Sequence, residues 1–298
     1  MTWKGWKMAV YKHSYSAYTG KVTPAWTRIV VLSRYAFDEA WSSKISIGLL
    51  VFCLLPCIAS LVGIYLANNP LARALVGARG DQMIAVDAGT FLKILEGQCW
   101  LALVLASWIA PRVITFDLAD SALPILLSHP ISRFGYLFGK FVALFASLSA
   151  VTWIPCLLLF AYEGYSSPVP WVAANLHIAG GIFAGSIIWI TLLAFLGLAL
   201  SSWVKWRVVA TGIIFAAVFI PAGVGGIVTA VLRTRWGFLI NLPFMISSLW
   251  QRLVGAPAPV NPRWSLPTEA IVTMLILTCI VCVAMLNKRI RAREVVRG

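Results

Sequence analysis

The residue types that most often carry chemistry are few in this chain, and their spacing decides little. Cys53, Cys57, Cys99, Cys156, Cys279 and Cys282 all fall inside long apolar runs. Cys279-x-x-Cys282 has the spacing of half a zinc site, but no second pair and no nearby histidine completes it. Small apolar residues in helices are the simpler reading. Copper held by membrane cysteines and methionines stays open, without a pattern behind it. His13, His129 and His177 are scattered and make no ligand set, so no metal is expected. Ser186 and His177 could be the nucleophile and base of an intramembrane hydrolase, yet no G-x-S-x-G turn surrounds Ser186. Glu96, Glu163 and Glu269 lie near the ends of apolar runs, whereas a proton- or sodium-coupled carrier needs carboxylates near mid-membrane. No G-x-x-x-x-G-K-[ST] phosphate loop occurs. The chain is therefore expected to be no enzyme, with no catalytic residue and no cofactor of its own.

The elements that carry these residues follow from composition. Of the 298 residues, 60% are apolar and 11% charged, against about 45–50% and about 25% in soluble domains. The mean hydropathy is +0.88. So little charge cannot cover the surface of a soluble fold of this size, and disordered, collagenous and coiled-coil classes fail on hydrophobicity or period. Six runs are long enough for a bilayer core of about 30 Å: 45–67, 92–113, 136–162, 176–203, 208–232 and 268–286. Each is continuous and lacks the alternation of a lipid-facing strand. The expected fold is an all-α polytopic membrane protein with six transmembrane helices. Pro56, Pro155 and Pro221 should kink their helices. The first 44 residues hold no apolar h-region or cleavage site, so the first run is expected to stay as an anchor.

Six spans place both termini on one side. With that side cytoplasmic, the inner segments hold most of the 24 Lys and Arg: seven before the first run, Arg112, Arg133 and Lys140, Lys205 and Arg207, and five from Lys288 onward. The outer segments hold Arg73, Arg79, Lys93, Arg233, Arg235, Arg252 and Arg263. This is the positive-inside pattern. The net charge of +14 then reflects topology and lipid headgroups, and no nucleic-acid partner is expected.

Outside the spans, residues 1–24 form an arm that interleaves Trp3, Trp6, Tyr11, Tyr15 and Tyr18 with lysines. Such a mixture suits the headgroup layer; docking to a cytoplasmic partner is the alternative. Residues 25–44 have a helical period, with Trp26, Ile29, Val30, Phe37, Ala40 and Trp41 on one face. Arg28, Tyr35, Asp38, Glu39 and Ser42 lie opposite, while Val31 and Leu32 break the pattern. An amphipathic helix lying in the cytoplasmic interface is expected. The outer connection 233–267 holds a short helix over 243–253 with Leu242, Ile246, Leu249, Trp250 and Leu253 in register. At about 16 Å it is too short to cross, so it is read as interfacial or re-entrant. Gly181-x-x-x-Gly185 and Gly223, Gly225 and Gly226 permit close helix approach, inside the bundle or between two copies.

The most informative stretch is the inner loop 112–140. Its centre, Leu123-Pro-Ile-Leu-Leu127, is apolar, and an apolar patch in a cytoplasmic loop marks an interaction site or a turn lying on the membrane. Asp117, then Leu123-Pro-Ile-Leu-Leu-Ser-His-Pro-Ile-Ser-Arg133, then Tyr136-Leu-Phe-Gly-Lys140 resembles the loop signature of ABC-2 type transporter permeases. Arg28 to Lys44 is similar to that family's N-terminal elbow helix, and the 255–262 region and the closing basic segment from Asn287 to Glu294 also look family-like. His129 and the Ser121-Ala122 pair depart from its usual residues. The resemblance implies a permease subunit, usually of an exporter, in a bacterial inner membrane with both termini cytoplasmic. It would pair with a second copy or a sister permease and sit on separate ATP-binding subunits, which carry ATP and Mg. The 112–140 loop would hold a coupling helix. Asp117 and Asp120 would enter a groove on the ATPase, with Leu123, Ile125 and Leu126 as apolar contacts. Pro130, Ser132 and Arg133 would end the helix, and Gly139 and Lys140 would begin span 3 at the headgroups. A non-transporting scaffold, or an ATP-independent carrier relying on Glu96, Glu163, Glu269 or His177, are the competing expectations.

Overall fold

A computed structural model of the chain describes residues 25–75, 86–119, 133–167, 171–257 and 265–289. Among the described residues there is no strand, and six helical segments are long and apolar enough to cross a membrane. The helices are α1 (Ala25–Trp41), α2 (Lys44–Asn68), α3 (Pro70–Leu75), α4 (Ala88–Ala119), α5 (Arg133–Ser149), α6 (Trp153–Ser166), α7 (Trp171–Trp203), α8 (Arg207–Leu232), α9 (Leu242–Val254) and α10 (Thr268–Arg289). A 3-10 turn, Arg235–Leu239, precedes α9. All six expected spans are present as α2, α4, α5 with α6, α7, α8 and α10.

The helices sort by how much of their surface other helices cover. In its most apolar stretch α7 is 67% buried, against 17% for α2, so α7 is the central post and α2 lies at the rim. Between apolar helices in lipid no water is displaced, so close packing and hydrogen bonds must supply the specificity. Three such bonds cross the centre: Trp189 Nε1 donates to the Cys99 carbonyl (2.9 Å), Trp250 Nε1 to the Gly185 carbonyl (2.9 Å) and Thr211 Oγ1 to the Ser107 carbonyl (2.9 Å).

Two boundaries differ from the hydropathy reading, each for a local reason. α4 begins at Ala88 because the Asp87 carboxylate caps it, accepting from the Thr90 N–H at 2.9 Å and the Thr90 hydroxyl at 3.1 Å. It also runs through Pro111 to Ala119, beyond the apolar run. The third span is broken rather than kinked. Ala150, Val151 and Thr152 leave helical geometry, with Thr152 at ψ −95°, and the chain restarts at Trp153. Pro155 then falls in the first turn of α6, where its missing N–H costs nothing within the helix. The Val151 carbonyl that a residue other than proline would have bonded is met by Gln98. That buried amide donates to the Val151 and Cys53 carbonyls at 3.2 and 3.1 Å and turns its oxygen to the Cys57 thiol.

The short α9 lies beside the first half of α7. Asn241 caps it by accepting from the Phe244 N–H (3.0 Å), and Gly255 ends it at φ +74°, a conformation that favours glycine. Leu242, Ile246, Leu249 and Trp250 of the expected stripe are buried; Met245 and Val254 join them, while Leu253 is only half-buried. Gly181 and Gly185 make the fit. A methyl group on Gly181 would collide with the Leu253 carbonyl, and one on Gly185 with the Trp250 ring. This glycine pair therefore serves packing inside the bundle. Gly225 does the same against Gly237 and Asn241, while Gly223 and Gly226 face open space.

Candidate functional site

The segment singled out by sequence is framed by two described helix ends. Asp117 lies in the last turn of α4 and Arg133 is the first residue of α5. Asp120, Leu123, Ile125, Leu126, Pro130 and Ser132 lie outside the described residues, as do the arm 1–24 and the 290–298 end. Gly139 and Lys140 sit in the second turn of α5, and what they touch is α1. A Cβ on Gly139 would stand 3.1 Å from Leu32 Cδ2, so α1 crosses α5 at the glycine. Lys140 is buried, with Nζ 3.6 Å from Glu39 Oε2 and 5.8 Å from the centre of the Tyr136 ring. Farther along, Trp41 Nε1 donates to Ser147 Oγ (3.1 Å), and Arg112 Nη2 of α4 donates to Ser42 Oγ (3.3 Å) just past α1. Both flanks of the inner segment are thus tied to α1 or the turn that ends it.

α1 is helical as expected, but its faces divide differently. Ala36 and Ala40 are buried and Leu32 is half-buried against Gly139, while Trp26, Val30 and Phe37 are exposed. Leu32 was a break in a one-face pattern; the helix has two apolar flanks, one turned to the bundle and one away from it. Glu39, assigned to the outward polar face, turns inward to Lys140. No sequence signal marks that pair, since its members are 101 residues apart.

The competing chemistries can be placed too. His177 and Ser186 are on one helix, nine positions apart, or about 13 Å along the axis, so they form no hydrolytic pair. Ser186 Oγ is buried with no hydrogen bond to the described residues, and the His177 ring lies against Gly255. Glu269 is exposed in the first turn of α10, where a carboxylate suits the helix N-terminus. Glu163 is buried and accepts from Asn68 Nδ2 and Ser167 Oγ, each at 2.6 Å. Among the described residues no group of three or more His, Cys, Asp or Glu could hold a metal ion, and all six cysteines are free.

Two cavities open beside α9. One, of about 600 Å³, lies between α7, α9 and α10 and is almost wholly apolar, with Ile188, Leu249, Ile276 and Val283 among its walls. The other, of about 310 Å³, lies between α4, α7 and α9, and sequence reasoning missed it. Glu96, Trp100, Trp189, Phe244, Ser247 and Trp250 line it. Glu96 accepts a hydrogen bond from the Ser247 hydroxyl, and Trp189 meets Trp250 edge-on at 5.9 Å between centroids. These residues lie up to 154 positions apart, and only the seating of α9 brings them together. No protein-family model matches the chain, and no curated protein matches it either.

Proposed function

We propose that this chain is the transmembrane permease subunit of an ATP-driven transporter of the ABC-2 type, acting in export across a bacterial inner membrane. The observation that carries the reading is the Asp117–Lys140 stretch: a sequence resembling the family's coupling loop, framed by the end of α4 and the start of α5. The absence of a phosphate loop from the sequence agrees, because hydrolysis then belongs to a separate ATP-binding subunit carrying ATP and Mg. On this reading the α1 end of the bundle and both termini are cytoplasmic, and α1 is the elbow helix. Its exposed Trp26, Val30 and Phe37 enter the headgroup layer.

Asp117, Asp120, Leu123, Ile125 and Leu126 engage the ATPase, Pro130, Ser132 and Arg133 close the coupling helix, and Gly139 and Lys140 transmit its displacement. The links from Lys140 to Glu39 and from Arg112 to Ser42 support this mechanism, because a push on either flank then also moves α1. The exposed apolar faces of α2 and α8 suit lipid and a second permease, identical or sister.

The test is purification from the native membrane in mild detergent. An ATP-binding subunit should accompany the chain at equal stoichiometry and be lost when Leu123, Ile125 and Leu126 become serine. Arg133→Glu should weaken assembly or ATPase stimulation if the arginine meets an acid on that subunit. Recovery without any ATPase, under conditions that hold other transporters together, would turn the reading to a scaffold or autonomous carrier.

A further inference from the structure

The cavity between α4, α7 and α9 has a polar inventory that selects its occupant. Trp189 and Trp250 spend their N–H groups on the Cys99 and Gly185 carbonyls. Asn241 is engaged at both ends, donating to the Ala222 carbonyl (3.4 Å) and accepting from the Phe244 N–H (3.0 Å). Ser247 donates to Glu96 Oε1. What remains is the second Glu96 oxygen, which accepts no hydrogen bond among the described residues, the Trp100 indole and ring surfaces, with one face each of Trp100 and Phe244 stacked on Phe219 and Phe238; among the described residues no Lys, Arg or His lines the cavity. Glu96 lies just over two turns into α4, about 12 Å along its axis. A carboxylate near the end of a membrane span, here half-buried, still favours a counter-charge, and among the described residues the hydrogen bond it accepts is from Ser247.

We propose that this cavity binds an organic ammonium group, with Glu96 as its counter-charge and Trp100, Trp189, Trp250 and Phe244 as its aromatic wall. Aromatic rings attract a cation through the negative potential of their faces, and desolvation strengthens the attraction. An anion would meet a carboxylate and few free donors. A neutral apolar ligand would leave the carboxylate unmet, and has the larger apolar cavity next door. The volume of about 310 Å³ is at the small end for ligand pockets, so it takes a tetraalkylammonium, choline or ethanolamine group rather than a large drug. The same chemistry is offered by a phospholipid headgroup and by a soluble amine. The inference stands on the cavity and is independent of the proposed ATP coupling.

The experiment is calorimetric titration of tetraethylammonium chloride into the full chain in phosphatidylglycerol nanodiscs, with empty discs and sodium chloride as controls. Saturable binding is expected in the wild type. Glu96→Gln should weaken it about tenfold or more, as loss of a charged hydrogen-bonding partner does. Glu96→Asp should keep part of the affinity, and Trp100→Leu, at a half-exposed wall position, should lower it less than Glu96→Gln does. Thermal melts of each variant show whether it is folded, and Glu96→Asp and Trp100→Leu carry the test if Glu96→Gln is not. No saturable heat in the wild type, or the same affinity in Glu96→Gln as in the wild type, overturns the proposal. A rise in apparent Kd when phosphatidylethanolamine is added to the discs identifies the occupant as a lipid headgroup, and an unchanged Kd identifies a soluble cation; the site stands in both cases.

Discussion

Glu163 and Glu96 stand at the same end of the bundle and meet the same problem in opposite ways. Each is a carboxylate in a membrane-spanning segment, Glu163 buried and Glu96 half-buried. Glu163 is only 3% exposed and accepts from an amide and a hydroxyl, both at 2.6 Å: the Asn68 amide joins the end of α2 to the end of α6, and the Ser167 hydroxyl comes from the cap of α6 itself. Glu96 accepts from Ser247 and otherwise opens onto a cavity of aromatic rings. A carboxylate fitted with neutral donors is part of the framework, because hydrogen bonds to the charged form offset its desolvation. One left with open space beside it is poised for something that is not part of the chain. Lys140 gives a third solution at the other end, a counter-charge at 3.6 Å.

The largest effect should come from breaking the scaffold on which the contrast depends. Gly181→Ala puts a methyl group into the Leu253 carbonyl, and the seat of α9 must shift. A loss of about 3 kcal/mol is expected, at the upper end for overpacking, measured by reversible unfolding in mixed micelles. Tetraethylammonium binding should fall with it, because Ser247 leaves Glu96. Gly180→Ala is the matched control: nothing lies within 4 Å of its Cβ position, so stability should hold or rise by up to about 1 kcal/mol from helix propensity. Equal losses in the two variants would mean that α9 is not held by glycine contact.

Next in size is the framework carboxylate. Glu163→Gln replaces one acceptor oxygen by an amide nitrogen, so the remaining oxygen can serve Asn68 only if the nitrogen turns to Ser167, whose hydroxyl must then accept instead of donate. Both bonds pass from charge-assisted to neutral, and a cost of about 2 kcal/mol is expected. Ammonium binding per folded molecule should not change. Lys140→Met comes third. It removes a buried charge but leaves Glu39, whose side chain is 31% exposed, able to reach water or headgroups. About 1 kcal/mol is expected, and cysteine cross-linking between α1 and α5 should become less efficient. An unchanged cross-linking yield would show that the Lys140–Glu39 pair is not needed to hold α1 on α5.

What the sequence could and could not show follows the range of the interactions. Spans, the α9 stripe and the glycine pair are local patterns, and hydropathy, helical period and small-residue spacing expose them. The same local logic read Pro155 as a kink. It could not show that Thr152 leaves helical geometry or that Gln98, more than 50 positions earlier, caps the freed Val151 carbonyl. Glu163 and Glu96 looked alike in sequence, both near span ends. Asn68 sits 95 residues from Glu163 and Ser247 151 residues from Glu96, so their environments are set by tertiary packing alone. Leu32 shows the opposite failure: it broke a one-face pattern because the helix has two apolar faces, one of which meets Gly139.

The smallest expected effect separates the two carboxylates most sharply. Glu96→Gln removes a charge that the fold does not use: one oxygen still accepts from Ser247, and the amide nitrogen replaces an oxygen that accepts no hydrogen bond among the described residues. The desolvation cost of the charge disappears, while the Ser247 bond passes from charge-assisted to neutral. These changes are opposite in sign and similar in size, so stability should stay within about 0.5 kcal/mol of the wild type. The same chemical substitution at Glu163 should cost about 2 kcal/mol, so the two melts compare identical chemistry in different surroundings. If Glu96→Gln destabilises as much as Glu163→Gln, Glu96 is a second framework carboxylate and the contrast fails. If it leaves the melt in place while ammonium binding is lost, stability and ligand recognition are separable at this end of the bundle, and the carboxylate is kept for the ligand.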